Sequence, residues 1–147
     1  MMQIHVPTIL VVFSLVHAVG CGNSVERPKT VPVSGKVTWN GAPLSMGRVQ
    51  FVPSDSKKGR PAVGDINQEG HYTLMTFQAN DGVMPGNYKI FVDARKEGDP
   101  NNLKTKGGFP ILPQKYYDAN KSGLTAFIED SAKNKVVDIV LDGKRKK

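Results

Sequence analysis

From Val33 to Leu141 apolar residues recur at alternate positions in short runs, and glycine, proline or asparagine closes run after run. A period of two places one face of an extended strand against a core, and no segment sustains a 3.6-residue period over ten residues. Val33, Gly35, Val37 and Trp39 alternate with Ser34, Lys36 and Thr38, and Asn40-Gly41 then supplies the strongest short hairpin signal. Val49 with Phe51, then Ala62, Gly64 and Ile66, then Tyr72 with Leu74 continue the pattern. Tyr88, Ile90 and Val92 form the most regular run, and Leu124 to Glu129 and Val136 to Leu141 close the series. The spacing predicts an all-β fold, a seven-stranded two-sheet sandwich with a Greek-key element.

Three connections differ in kind. Ser54 to Pro61 reads as a solvated loop, and Asn67 to Gly70 as the turn that makes the third and fourth strands a hairpin. Residues 94 to 123 hold three glycines and three prolines up to Pro113 without sustained periodicity. A loop that long exceeds the usual connection in a compact domain, so it is expected to be functional or mobile.

The first 21 residues read as an address. Val6 to Val16 is apolar over the length of a signal-peptide core, too short for a comfortable span of about 20 residues. It is followed by Ala18-Val19-Gly20-Cys21, which resembles the lipobox of bacterial lipoproteins. That resemblance implies cleavage between Gly20 and Cys21 and a diacylglycerol thioether on Cys21. The other reading is an ordinary secretory signal cut nearby, leaving Cys21 a free thiol. Residues 1–20 are thus expected to be a lipoprotein signal peptide, 21–32 a flexible polar tether, 33–142 the folded domain and 143–147 a basic tail. The expected location is exported and membrane-anchored, facing the periplasm or the cell surface, with the membrane engaged through the N-terminal lipid.

A second resemblance concerns the body. Val33-Ser34-Gly35-Lys36-Val37-Thr38 with Asn40-Gly41-Ala42-Pro43-Leu44, the run Val49 to Pro53, the Asn67 to Tyr72 turn and Pro85-Gly86-Asn87-Tyr88-Lys89-Ile90 resemble the carboxypeptidase regulatory-like, transthyretin-like β-sandwich domain, of broadly immunoglobulin-like architecture. The resemblance implies a non-catalytic accessory domain without zinc ligands. Pro113-Gln114-Lys115-Tyr116-Tyr117 also resembles a recurrent element of small surface lipoproteins.

Composition bounds what chemistry is available. A single cysteine excludes an intramolecular disulfide, and with His71 the only histidine after residue 20 a Cys/His zinc site cannot be assembled. No cofactor, metal or catalytic residue is therefore assigned. The net charge of +7 lies entirely beyond residue 20, because residues 1–20 carry no Lys, Arg, Asp or Glu. It favours polyanions such as acidic glycan or anionic lipid, or serves solubility alone. Lys57, Lys58 and Arg60, Arg95 with Lys96, and Lys104 with Lys106 are the candidate polyanion-binding clusters. They lack interleaved aromatics, so nucleic acid is not expected as a partner.

Four further features have two readings each. Asp65 to Gly70 mimics half of a calcium loop, but the twelfth position is Thr76, which favours a plain hairpin turn. Adjacent Glu129 and Asp130 point to opposite faces of a strand and do not make a catalytic pair. His71 lacks a nucleophile in a recognisable setting. Trp39 with Tyr116 and Tyr117 could stack on a sugar, or simply pack. The functional expectation is a lipid-anchored, non-catalytic envelope protein that is structural or binds an envelope protein or glycan. Polyanion binding is the alternative, and an enzyme with an unrecognised site in 94–123 the least favoured.

Overall fold

The computed structural model describes residues 27–144. The expected signal segment, Gly20, Cys21 and the last three residues of the expected tail lie outside them. Within them the protein is mainly β, built of several sheets, with no α-helix among the described residues. Alternation becomes structure where it is strongest. Val33–Trp39 (β1) buries Val33, Gly35 and Val37, and the chain reverses at Asn40 (φ 50°) and Gly41 (φ 83°) into Ala42–Pro43 (β2). Two successive left-handed residues are what a two-residue hairpin of this hand needs, and Asn-Gly provides them.

Arg48–Pro53 (β3) buries Val49 and Phe51, Ala62–Asp65 (β4) buries Ala62 and Gly64, and His71–Thr73 (β5) buries Tyr72. Gly86–Asp93 (β6) buries Tyr88, Ile90 and Val92. The next two strands, Arg95–Lys96 (β7) and Phe109–Pro110 (β8), pair with each other. Leu124–Ile128 (β9), Lys135–Val136 (β10) and Ile139–Leu141 (β11) complete the order. In one sheet β1 is central, antiparallel to β2 and β5 on one side and parallel to β10 and β11 on the other. The second sheet runs β4-β3-β6-β9, antiparallel throughout. Both contribute to one core, with Val33, Val37, Ile139 and Leu141 from the first and Val49, Phe51, Tyr88, Ile90 and Ile128 from the second. Fully burying a side chain such as Phe51 contributes about 2 kcal/mol.

The chain departs from the sequence expectations in four places. The expected third and fourth strands, β4 and β5, flank the Asn67–Gly70 turn but pair in different sheets, so they do not form the expected hairpin. Residues 94–123 are not a structureless loop, because they hold the β7–β8 hairpin and a short 3-10 helix at Gln114–Tyr117. Alternation cannot reveal two-residue strands, which span a single period and so never repeat the pattern. The last expected strand is broken into β10 and β11 at Val137 and Asp138. There the Lys36 N–H donates to Asp138 Oδ1 (2.9 Å) instead of a backbone carbonyl, and the Val137 carbonyl accepts from the Tyr72 hydroxyl (2.6 Å). Finally, the expected tether is already bound before residue 33. Val31 is 1% exposed and exchanges both backbone hydrogen bonds with Val83 (2.8 and 3.0 Å). Lys29 Nζ meets Asp130 Oδ1 (2.9 Å), and Arg27 reaches Gln78. One valine among the polar residues and prolines of 27–32 gives no period to read.

The break in the last strand rests on Gly35. A Cβ there would lie 2.0 Å from the Val137 oxygen and 3.1 Å from the Tyr72 ring. Gly64, also against the Tyr72 ring, would bring a Cβ to 2.6 Å from the Thr73 oxygen. The Tyr72 ring thus lies against both glycines, where the Val137 and Thr73 carbonyls take the place of a side chain. Burial, then the nearby Asp138 carboxylate, raise its phenol pKa well above the ordinary value. Gly35→Ala is expected to lower stability by about 3 kcal/mol through overpacking against backbone. Gly41→Ala, at φ 83° with open space around it, should cost only about 1 kcal/mol. Urea unfolding of both variants checks the ranking, and equal costs would contradict it.

Candidate functional site

Strand β6 gives the molecule two ends, one at Gly86 and one at Asp93, roughly 23 Å apart at about 3.3 Å per residue. The candidate residues divide between them. Antiparallel pairing sets Arg48 beside Asp93 and Pro53 beside Tyr88, so the loop after β3 lies at the Gly86 end. Lys57, Lys58 and Arg60 therefore stand there, and Arg95 and Lys96 stand at the other end. The expected clusters do not form one continuous basic surface.

At the Asp93 end, Arg95, Lys96 and Lys106 line an open concavity of about 410 Å³ with Gly98, Gly107 and Gly108. Glu97 lines it too, so the site is basic but not uniformly so. Lys104 lies exposed on the same excursion without lining that space. Arg95 is committed further: its Nε donates to Asp93 Oδ1 (2.8 Å) and its guanidinium lies 5.4 Å from the Tyr117 ring centre. Leu103, 82% exposed, and Phe109, 47% exposed, give the same excursion an apolar component.

The excursion is held by the two tyrosines that follow Pro113. Tyr117 Oη accepts from the N–H groups of Ile111 (3.0 Å) and Leu112 (3.2 Å) and donates to the Ala94 carbonyl (2.5 Å). One hydroxyl thereby ties the start of the excursion to its end. Tyr116 is buried, donates to Asp142 Oδ1 (2.8 Å) and accepts from the Asp142 N–H (3.0 Å), fixing the segment to the chain after β11. Lys115 Nζ meets the same carboxylate at 3.2 Å and lies 4.6 Å from the Tyr116 ring centre. With Tyr116 buried and the Tyr117 hydroxyl engaged three times, the two rings pack rather than offer a sugar platform. Trp39 also packs against the core and donates to the Gly143 carbonyl (3.1 Å).

The other candidates resolve on their partners. Asn67 Oδ1 accepts from the N–H groups of Glu69 (3.1 Å) and His71 (2.8 Å), and Gly70 takes φ 84°, so Asp65 to Gly70 is a tight turn. Asp65 itself accepts from Arg48 Nε at 2.8 Å. His71 is exposed on β5, and Asp130 pairs with Lys29 while Glu129 is exposed beside it. At the Gly86 end, Arg60 lies over the Phe77 ring at 5.6 Å, and Lys58 borders an open cleft of about 380 Å³ with Pro53, Asn87 and Tyr88. Asp81 underpins that end by accepting from the N–H groups of Thr76, Phe77 and Gln78. Sequence reasoning missed Asp81, Asp142 and the Tyr117 hydroxyl. The only signal for the last was a pair of large aromatics inside a Gly- and Pro-rich stretch.

No family model, curated protein or solved structure matches the chain in comparisons with known proteins.

The Asp142 carboxyl is held below its ordinary pKa by the Tyr116 hydroxyl and then by Lys115. A depressed folded pKa stabilises above the unfolded value, and that contribution disappears as pH falls through the folded one. The stability difference between the protein and Asp142→Asn should therefore be largest near neutrality and shrink below about pH 4. Urea midpoints measured from pH 7 to pH 3 check this, and a constant difference would contradict it.

Proposed function

We propose that this chain is a lipid-anchored, non-catalytic protein of the bacterial cell envelope. It is exported, held on a membrane through Cys21, and binds an envelope protein or glycan. Its body, on this reading, is a transthyretin-like β-sandwich of the carboxypeptidase regulatory kind. Strand order supports the Greek-key part. β3 and β4 form a hairpin, Val63 of β4 bridges to Met75 just after β5, and β6 returns to lie beside β3. Within the second sheet the order β6-β3-β4 matches three of the four Greek-key positions, and β5, which pairs in the first sheet, reaches β4 through that single bridge.

The observation that carries the functional reading is polarity along the long axis. The chain enters at the Gly86 end, where Val31 is locked to Val83, and the braced β7–β8 excursion stands at the opposite end. A body tethered at one end and displaying an ordered loop with exposed Leu103 and Phe109 at the other is built to present a surface. Metabolic labelling with a fatty-acid probe tests the anchor. Label is expected on the wild type and none on Cys21→Ser. Equal labelling of both, or of neither, removes the anchoring reading.

The grouping of Arg95, Lys96 and Lys106 favours a second reading, in which the partner is an acidic glycan gripped by the excursion. Retention on immobilised heparin should then fall to lower salt in Lys96→Gln/Lys106→Gln. Unchanged elution of that variant would end this reading.

A further inference from the structure

The cations at the Gly86 end lie where the chain enters the body. Arg27 and Lys29 sit on the entering segment itself, held by Gln78 and Asp130. Lys57, Lys58 and Arg60 are exposed on the loop after β3, which packs beside Pro85 and Asn87. The Ser54 N–H donates to the Asn87 carbonyl (2.8 Å), and Arg60 rests on Phe77, in the segment that carries Gln78. Lys135, whose N–H donates to the Pro32 carbonyl, adds a cation to the same end. Carboxylates are present as well. Asp55 faces Lys58 (3.8 Å) and Asp130 faces Lys29 (2.9 Å), while Asp81 is turned to backbone donors and Glu129 is exposed.

Covalent reach fixes what this end can meet. Arg27 is six residues beyond Cys21, and six residues span at most about 21 Å fully extended. We propose that the Gly86 end, through Arg27, Lys29, Lys57, Lys58 and Arg60, is a docking surface for anionic lipid headgroups of the membrane that holds Cys21. The proposal rests on the anchoring reading for its geometry. Lipid attachment alone does not set the orientation of the body. A basic near end turns it upright and directs the β7–β8 excursion away from the bilayer. Attraction of exposed cations to a charged bilayer is lost beyond about 10 Å at ordinary salt, so only the near end takes part.

The test uses residues 22–147, which retain every core residue from Val31 to Leu141 and cannot be lipidated. Its outcome is thus independent of whether Cys21 carries lipid. Co-sedimentation is measured with phosphatidylcholine vesicles containing about one third phosphatidylglycerol, and with phosphatidylcholine alone. Binding to the anionic vesicles only, weakening as salt rises, is expected. Neutralising the near end in Lys57→Gln/Lys58→Gln/Arg60→Gln should reduce partitioning on the order of a hundredfold, from roughly fivefold per cation near the surface. Lys96→Gln/Lys104→Gln/Lys106→Gln removes as many charges from the other end and should lose less than tenfold. Arg27→Gln/Lys29→Gln gives an independent pair at the near end and should lose at least tenfold. Equal losses from the two triple variants would reduce the effect to bulk charge and overturn the proposal. So would failure to bind anionic vesicles, or equal binding to neutral ones. Absence of label from the wild type, or equal label on the wild type and Cys21→Ser, beside positive vesicle binding would remove the anchor and leave the basic face.

Discussion

The close approach made possible at Gly35 is the constraint on which the rest of the first sheet depends. β1 must pair on one side with β5 and on the other with the final strands, and at Gly35 both neighbours crowd in. The Val137 carbonyl occupies the place of a side chain on Gly35, and the Tyr72 ring fills the remaining space while its hydroxyl satisfies that carbonyl. A buried carbonyl without a partner would cost about 1–3 kcal/mol, so ring and hydroxyl have to be considered together. A phenylalanine would fill the space and strand the oxygen. The interruption between β10 and β11 is therefore a satisfied kink, with Asp138 supplying to Lys36 the acceptor that the displaced backbone no longer provides.

The second sheet is regular, and irregularity is concentrated in the excursion that leaves it after β6. Two adjacent tyrosines solve the problem of holding a Gly- and Pro-rich segment without regular pairing. Tyr117 gathers three backbone groups on one oxygen, and Tyr116 buries its ring while reaching Asp142 near the end of the chain. Ser122 finishes the same task, donating to the Ile90 carbonyl and accepting from the Leu124 N–H as the chain returns to β9. Side-chain hydroxyls here take over the work that ladders do elsewhere. That leaves the tip of the hairpin free to carry cations and exposed apolar groups.

Much of this was legible in the residues. Period-two runs located the main strands, and Asn40-Gly41 and Asn67 to Gly70 located two turns, because those signals are local and each residue there does one job. What escaped reading was set by distant partners. Nothing in Pro32-Val33 announces that Val31 will close on Val83, and nothing around Asp142 announces Tyr116. The basic clusters were legible as residues but not as a surface, since antiparallel pairing of β3 with β6 sends Arg60 and Arg95 to opposite ends. Expected strand positions were sound where burial is alternate, and failed where a strand is too short to repeat the pattern.

The parallel pairing of β1 with β10 and β11 has a temporal meaning. Val33 pairs with Lys135 and Trp39 with Leu141, so the first and last strands of the body are neighbours. Closing a ring of about a hundred residues carries an entropic penalty that local hairpins such as β3–β4 avoid. The second sheet has the means to assemble while synthesis is under way. The first has to wait for residues 135–141, so a ribosome-bound chain that lacks them holds β1 with one edge open, and β10 and β11 act as the latch that ends this vulnerable interval.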